Sequence, residues 1–146
     1  MEANYKIRPA TLADQETIYH FICHLEEISF ERESFMDRFK HNLGRQENIY
    51  LVATNEVEEP IGFISAQGQS VLHQEGRIFE IQELYVARNW RGLGIGKLLI
   101  ESLQEKLHKT KAGGLEVSTH AKRTEVRRFF SKMGFTANHI KLLKQI

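Results

Sequence analysis

The segment Leu84-Tyr85-Val86-Ala87-Arg88-Asn89-Trp90-Arg91-Gly92-Leu93-Gly94-Ile95-Gly96-Lys97-Leu98-Leu99 decides how this chain is read. An apolar run, Leu84-Tyr85-Val86, enters a basic loop with glycines at alternate positions 92, 94 and 96. Beyond it Ile95, Leu99, Leu103 and Leu107 recur at four-residue steps, which predicts an amphipathic helix over 95–111. Strand, glycine loop and helix together make an anion cradle. Glycines let backbone N–H groups turn toward a ligand, and a helix N-terminus adds partial positive charge. Arg88, Arg91 and Lys97 place full charges beside it. A phosphate or diphosphate is the guest this chemistry suits. Two common phosphate fingerprints fail here. Counted from Gly92, G-x-G-x-x-G puts Lys97 where its third glycine belongs. The pattern G-x-x-x-x-G-K-[ST] meets Arg91 and Leu98 at two of its fixed positions. What fits is R-x-x-G-x-G, as Arg91, Gly94 and Gly96.

Upstream, Tyr5-Lys6-Ile7-Arg8 reads as a short strand ended by Pro9. Thr11-Leu12-Ala13-Asp14 has the form of a capping box, and Ile18, Phe21, Ile22, Leu25 and Ile28 follow at helical spacing. A second helix over 33–43 points Phe35, Met36, Phe39 and Leu43 inward. Strands are predicted over 48–54, 60–72 and 77–86, separated by polar turns, so this part is a run of antiparallel strands. Downstream of the glycine helix come a strand over 115–119 and a helix over 123–133 with Val126, Phe129, Phe130 and Met133 inward. The tail 135–146 is expected to hold one or two further strands. The order predicts a mixed α/β (α+β) fold in a single domain over 1–146.

Composition narrows the function. The 146 residues include 20 Lys+Arg and 19 Asp+Glu, so the net charge is +1 and no global field favours nucleic acid. Hydrophobic residues at 41% and charged residues at 27% are ordinary for a globular protein. The lone cysteine, Cys23, makes no intramolecular disulfide, which points to a reducing, cytoplasmic location. Met1 to Lys6 lack an apolar signal core, and no apolar run approaches the roughly 20 residues that span a bilayer. Neither a nucleic-acid partner nor a membrane partner is therefore expected.

The chain resembles the GCN5-related N-acetyltransferase (GNAT) superfamily along essentially its whole length. Ile7-Arg8-Pro9-Ala10-Thr11 with Asp14 resembles the family's opening strand and helix. Leu84-Tyr85-Val86 followed by Arg91-Gly92-Leu93-Gly94-Ile95-Gly96 resembles its diphosphate-binding motif, and Phe129-Phe130 with Met133-Gly134-Phe135 its closing helix and following strand. Ile22-Cys23 with Leu25, Glu80-Ile81-Gln82-Glu83-Leu84, and Ser118-Thr119 with Lys122-Arg123 are similar to the aminoalkylphosphonate N-acetyltransferases within it. The resemblance implies a mostly antiparallel sheet flanked by helices and splayed beside strand 77–86, with acetyl-CoA on one side and the amine on the other. It implies an N-acetyltransferase whose amine attacks the acetyl-CoA thioester directly. The leading substrate is an aminoalkylphosphonate, with a polyamine, amino acid, amino sugar or protein amine as alternatives. A non-catalytic acyl-CoA sensor on the same fold is the rival in another class, and a homodimer is compatible with the family.

The resemblance assigns Leu84, Tyr85 and Val86 to the pantetheine arm, and Arg91, Gly92, Leu93, Gly94, Ile95, Gly96 and Lys97 to the diphosphate. Ser118 and Phe129 are further cofactor contacts. Glu80 matches the family's base position. Glu83 is the second carboxylate; in a regular strand it faces the other side, unless a bulge intervenes. Phe130 departs from the family pattern, since it stands where many members carry a tyrosine that protonates the leaving thiolate. A thiol pKa of about 8.5 lets the thiolate leave unaided; Tyr85, His120 or water are the other donors. His73, Lys122 and Arg123 are candidates for substrate contact, or are solvated surface. His20 and His24 share a helix face with Glu27 at metal-ligand spacing, or that face is solvent-exposed or cleft wall. His73 with Glu80 is a second place where a divalent ion stays open, although no motif requires one.

Overall fold

The strand that enters the glycine loop lies inside a five-stranded sheet, and its two neighbours differ. The computed structural model describes residues 4–146, so Met1 to Ala3 of the segment read as lacking a signal core lie outside it. Strands β1 (Lys6–Pro9), β2 (Asn48–Thr54), β3 (Pro60–Gln69), β4 (Ile78–Val86) and β5 (Gly114–Val117) lie side by side in chain order. The first four pair antiparallel; β5 pairs with β4 in parallel. Helices α1 (Gln15–Glu26) and α2 (Arg32–Leu43) connect β1 to β2, α3 (Ile95–Lys109) connects β4 to β5, and α4 (Thr124–Lys132) follows β5.

Alternation along the strands supplies two cores, one on each face. Leu51 and Ala53 of β2 join Phe79 and Ile81 of β4 and the α3 stripe of Leu99, Ile100, Leu103 and Leu107. Val52 and Phe63 face the other way, onto Ile18, Phe21 and Ile22 of α1 and Phe35 and Phe39 of α2. The capping box forms as predicted. Asp14, 5% exposed, accepts the Thr11 N–H at 2.8 Å and hydrogen bonds from both terminal guanidinium nitrogens of Arg8, each at 2.8 Å. The Arg8 hydrogen bonds hold the Asp14 carboxyl below its usual range.

Two features position the site. First, β3 and β4 slip register: Ser65 faces Glu83, yet Ala66 faces Ile81. Gln82 is the extra residue of a bulge. Phe79 and Ile81 before it, and Leu84 and Val86 after it, all pack on the α3 face. Glu80 and Glu83 are thereby brought to the opposite face together, opposite Gln67 and Ser65 of β3. Second, β5 accompanies β4 only as far as Ile81, which pairs with Val117. From Gln82 to Val86 the β5-side edge of β4 has no strand beside it among the described residues, and this is the splay expected beside β4.

The tail corrects an expectation. Residues 135–146 form no strand; Phe135 docks, its N–H donating to Phe130 O at 3.1 Å. Ile140, Leu142, Leu143 and Ile146 are each at least 84% exposed. A strand forms only where a neighbouring strand takes up its N–H and C=O groups, and β5 does not do so here.

Candidate active site

The open edge of β4 leads directly into the glycine loop. Ala87 N–H donates to Ile61 O at 2.8 Å across β3. By antiparallel alternation, the peptide groups of Val86 and Leu84 face the open side instead. A cleft of about 380 Å³ lies there, walled by Leu84, Tyr85 and Val86, by His24 and Glu27, and by Arg91 and Arg123. A larger hollow of about 600 Å³ lies at the opposite end of β4, beside Phe79 and the end of α3. Its lining holds Arg77 and Lys106 but no carboxylate or histidine, so it offers no base for amine chemistry.

The loop is built as an anion cradle. Gly92 and Gly94 take φ of 78° and 83°, and a Cβ on either would meet nothing within 4 Å. Both therefore present open backbone to a ligand, in a conformation that side-chained residues disfavour. Gly94 caps α3, and Leu98 N–H is the first to reach back, to Gly94 O at 3.0 Å. The amides of Ile95, Gly96 and Lys97 precede that bond and lack intrahelical partners. Arg91 donates through Nε to Val86 O at 2.8 Å and lies 5.3 Å from the Tyr85 ring centre. Ile95 is 1% exposed and packs in the core, so its side chain is closed to a ligand. Leu93 and Lys97 are exposed, and Gly96 lies against Phe129, 3.4 Å from where a Cβ would stand.

The two carboxylates differ in setting. Glu83 accepts a hydrogen bond from the Ser65 hydroxyl, whose oxygen in turn accepts Glu83 N–H at 3.0 Å. Burial pushes the Glu83 carboxyl pKa up, with a further push from Glu26; the Ser65 bond opposes both. Glu80 is more open, its side chain 30% exposed. One of its oxygens accepts Gln82 Nε2 at 3.0 Å, and the other accepts Ser118 Oγ at 3.1 Å. Lys141 Nζ stands 3.7 Å from that second oxygen.

Other sequence candidates are distributed unevenly. Arg123 reaches the cleft. Lys122 is exposed, and its backbone N–H donates to His120 Nδ1 at 3.1 Å. His73 is exposed in the turn between β3 and β4 and, like Glu80 and Glu83, is not among the residues that line the cleft. Ser118 turns its hydroxyl to Glu80 rather than toward the loop. Phe130 is 7% exposed and packs edge-on against Phe129 and Phe135, a core side chain with no proton to give. His20 pairs with Glu16 at 3.5 Å while His24 Nδ1 lies 3.4 Å from the Tyr85 hydroxyl, so the two histidines have separate partners. No three His, Cys, Asp or Glu side chains gather as a metal site among the described residues. No helix of the described residues is long and apolar enough to cross a membrane.

Three contacts escaped the sequence reading: His24 with Tyr85, Ser65 with Glu83, and Lys141 with Glu80. Helical spacing puts His24 off the apolar stripe, a usable signal. The other two join distant segments and leave no local pattern.

The sequence model of the acetyltransferase (GNAT) family matches residues 15–135. An aminoalkylphosphonate N-acetyltransferase of Salmonella typhimurium is 32% identical over 141 residues, spanning 97% of this chain and 91% of the relative. A peptidyl-lysine N-acetyltransferase of the same organism, YjaB, is 31% identical over 84 residues, 58% of this chain and 48% of the relative. Among solved structures, a transcriptional regulator from Bacillus halodurans superposes with a TM-score of 0.87 at 24% identity, covering 98% of this chain and 100% of the other.

Proposed function

The chain belongs to the GNAT family and is an N-acetyltransferase; on that premise we propose that it acetylates a small primary amine carrying a phosphonate, with acetyl-CoA as donor. The observation that carries the donor assignment is the continuity of the unpaired β4 edge with the amides at the start of α3. An extended pantetheine arm pairs with Leu84 and Val86 like an added strand, and the diphosphate rests on the amides of residues 92–97. The open space at Gly92 and Gly94 fits a phosphate in van der Waals contact with backbone.

The bound thioester supplies an activated acetyl group. The chain's own residues do the rest. Glu80 accepts the proton that the ammonium must lose, directly or through water. Its exposure, and its present hold on a primary ammonium, support that role. Val86 N–H, facing the open edge, stabilises the negative charge that develops on the carbonyl oxygen. Tyr85 with His24 lines the wall where the amine enters. Arg91 and Arg123 supply cationic contacts for a phosphonate on the cleft wall, and a guanidinium fork suits that geometry.

The substrate assignment leans on the relative that is 32% identical over 97% of this chain. Acetyl-CoA-dependent thiol release should be measured on aminomethyl- and aminoethylphosphonate, spermidine, glucosamine and amino acids. An amine-free blank corrects for Cys23. Preference for the phosphonates is the expected result. Turnover on another amine alone overturns the phosphonate and keeps the enzyme. Acetyl-CoA binding with no turnover on any amine favours the sensor.

A further inference from the structure

We propose that Lys141 is an acetylation site served by the chain's own active site. The inference rests on the acetyl-transfer reading above and adds an acceptor to it.

Residues 136–146 carry no helix or strand, and none of their backbone groups bonds to the body among the described residues. The one polar contact this tail makes with the body, within those residues, is Lys141 Nζ to Glu80 Oε2 at 3.7 Å. That oxygen also accepts Ser118 Oγ, and the other accepts Gln82, so the ammonium stands in ion-pair range of the carboxylate assigned as base. Lys109 is the other lysine with an ion pair among the described residues, and its partner is Glu105 on the surface of α3.

The pair is not a structural staple. Lys141 and Glu80 are 59% and 30% exposed, and exposed ion pairs contribute only about 0–1 kcal/mol. A loosely held primary amine on an unpinned segment, beside a base, is placed as a substrate amine would be. Tethering sets its effective concentration in the millimolar range, about that of a good external substrate.

The step balances without a further reagent. Lys141 Nζ gives a proton to Glu80 and its lone pair forms a C–N bond to the acyl carbon of acetyl-CoA. The C–S bond breaks and its electron pair leaves on sulfur. A second proton is lost from nitrogen as the amide forms, and the thiolate takes one up. The products are Nε-acetyl-lysine at position 141, coenzyme A and one released proton. Acetylation removes the positive charge, so the ion pair to Glu80 is lost and the tail is released from the site.

The test is site-resolved mass mapping of the full chain incubated with acetyl-CoA, with Lys122, Lys132 and Lys144 as internal measures of uncatalysed acetylation. Lys141 is expected to react about 10²-fold faster than these, the low end of general-base assistance. Glu80→Gln should bring it down to their rate, and Lys141→Arg should leave theirs unchanged. The Lys141 rate constant should not change on tenfold dilution of the protein. Labelling of Lys141 at the rate of Lys144, or labelling indifferent to Glu80→Gln, overturns the inference. So does a rate that falls with dilution, since another copy then brings the amine. Wild-type protein that turns over a small amine but leaves Lys141 unlabelled overturns this inference alone. Protein that does neither overturns the acetyl-transfer reading as well.

Discussion

Glu83 and Asp14 show how much one carboxylate's surroundings matter. Asp14 is stabilised as the anion by Arg8, so its folded pKa lies below the unfolded value of about 3.9. Its contribution is present above that value and is lost as pH falls through the lower folded one. Asp14→Ala should cost about 1–3 kcal/mol at neutral pH, near the lower end because Arg8 stays 39% exposed, read by urea unfolding. Glu83 behaves in the opposite sense. Its folded pKa is raised, so between the ordinary value of about 4.3 and that raised value the folded state holds the extra proton. Stability therefore falls as pH rises through that window. Glu83→Gln should flatten this part of the Tm–pH curve. An unchanged slope would mean that Glu83 is solvated and not buried. At this scale the sequence was legible in part. Thr11 and Asp14 advertise their contact because it spans three residues. Glu83 and Ser65 meet only because two strands pair, and nothing near either residue announces it.

Among the elements, the bulge at Gln82 carries the most consequence. It lets Phe79 and Ile81 share a face with Leu84 and Val86, while Glu80 and Glu83 share the other. Deleting Gln82 removes the extra residue and leaves strict alternation, with Phe79, Ile81, Leu84 and Val86 still on one face and Glu80 and Glu83 still on the other. No apolar side chain of β4 changes face, so the variant should unfold at about the urea midpoint of wild type. A midpoint far below wild type would contradict the bulge. Period and caps made α1, α2 and α3 readable, since each stripe meets a sheet face and stops at a turn. Alternation revealed that β4 is a strand, but not where its phase changes. The tail is expected to hold strand and holds none, because a strand is completed by a neighbour that the sequence does not specify. The β4 edge beyond Ile81 was expected from the family resemblance; its extent follows from how early β5 ends, at Val117.

For the molecule as a whole, ligand binding and folding are linked. A ligand that binds only the folded state adds about 2.7 kcal/mol at a hundred times its Kd. Acetyl-CoA should therefore raise the Tm of the wild-type protein. Gly94→Val should abolish that increase, because valine disfavours φ of 83° and its side chain enters the open space before the amides. An intact shift in that variant would remove the loop from the binding account. The family and the layout of the fold were legible because glycine loop, strand and helix are local and in order. The placement of His73 outside the cleft was not, because a turn's direction depends on how far β3 and β4 run before separating.

The central claim is that the edge of β4 and Glu80 together form an acetyl-transfer site, and Glu80→Gln tests it most directly. Steady-state thiol release on the best amine of the panel should be measured alongside acetyl-CoA affinity by calorimetry. The account predicts that kcat/KM falls by about 10²–10⁴ while acetyl-CoA affinity stays at the wild-type value. Wild-type turnover in Glu80→Gln would contradict it.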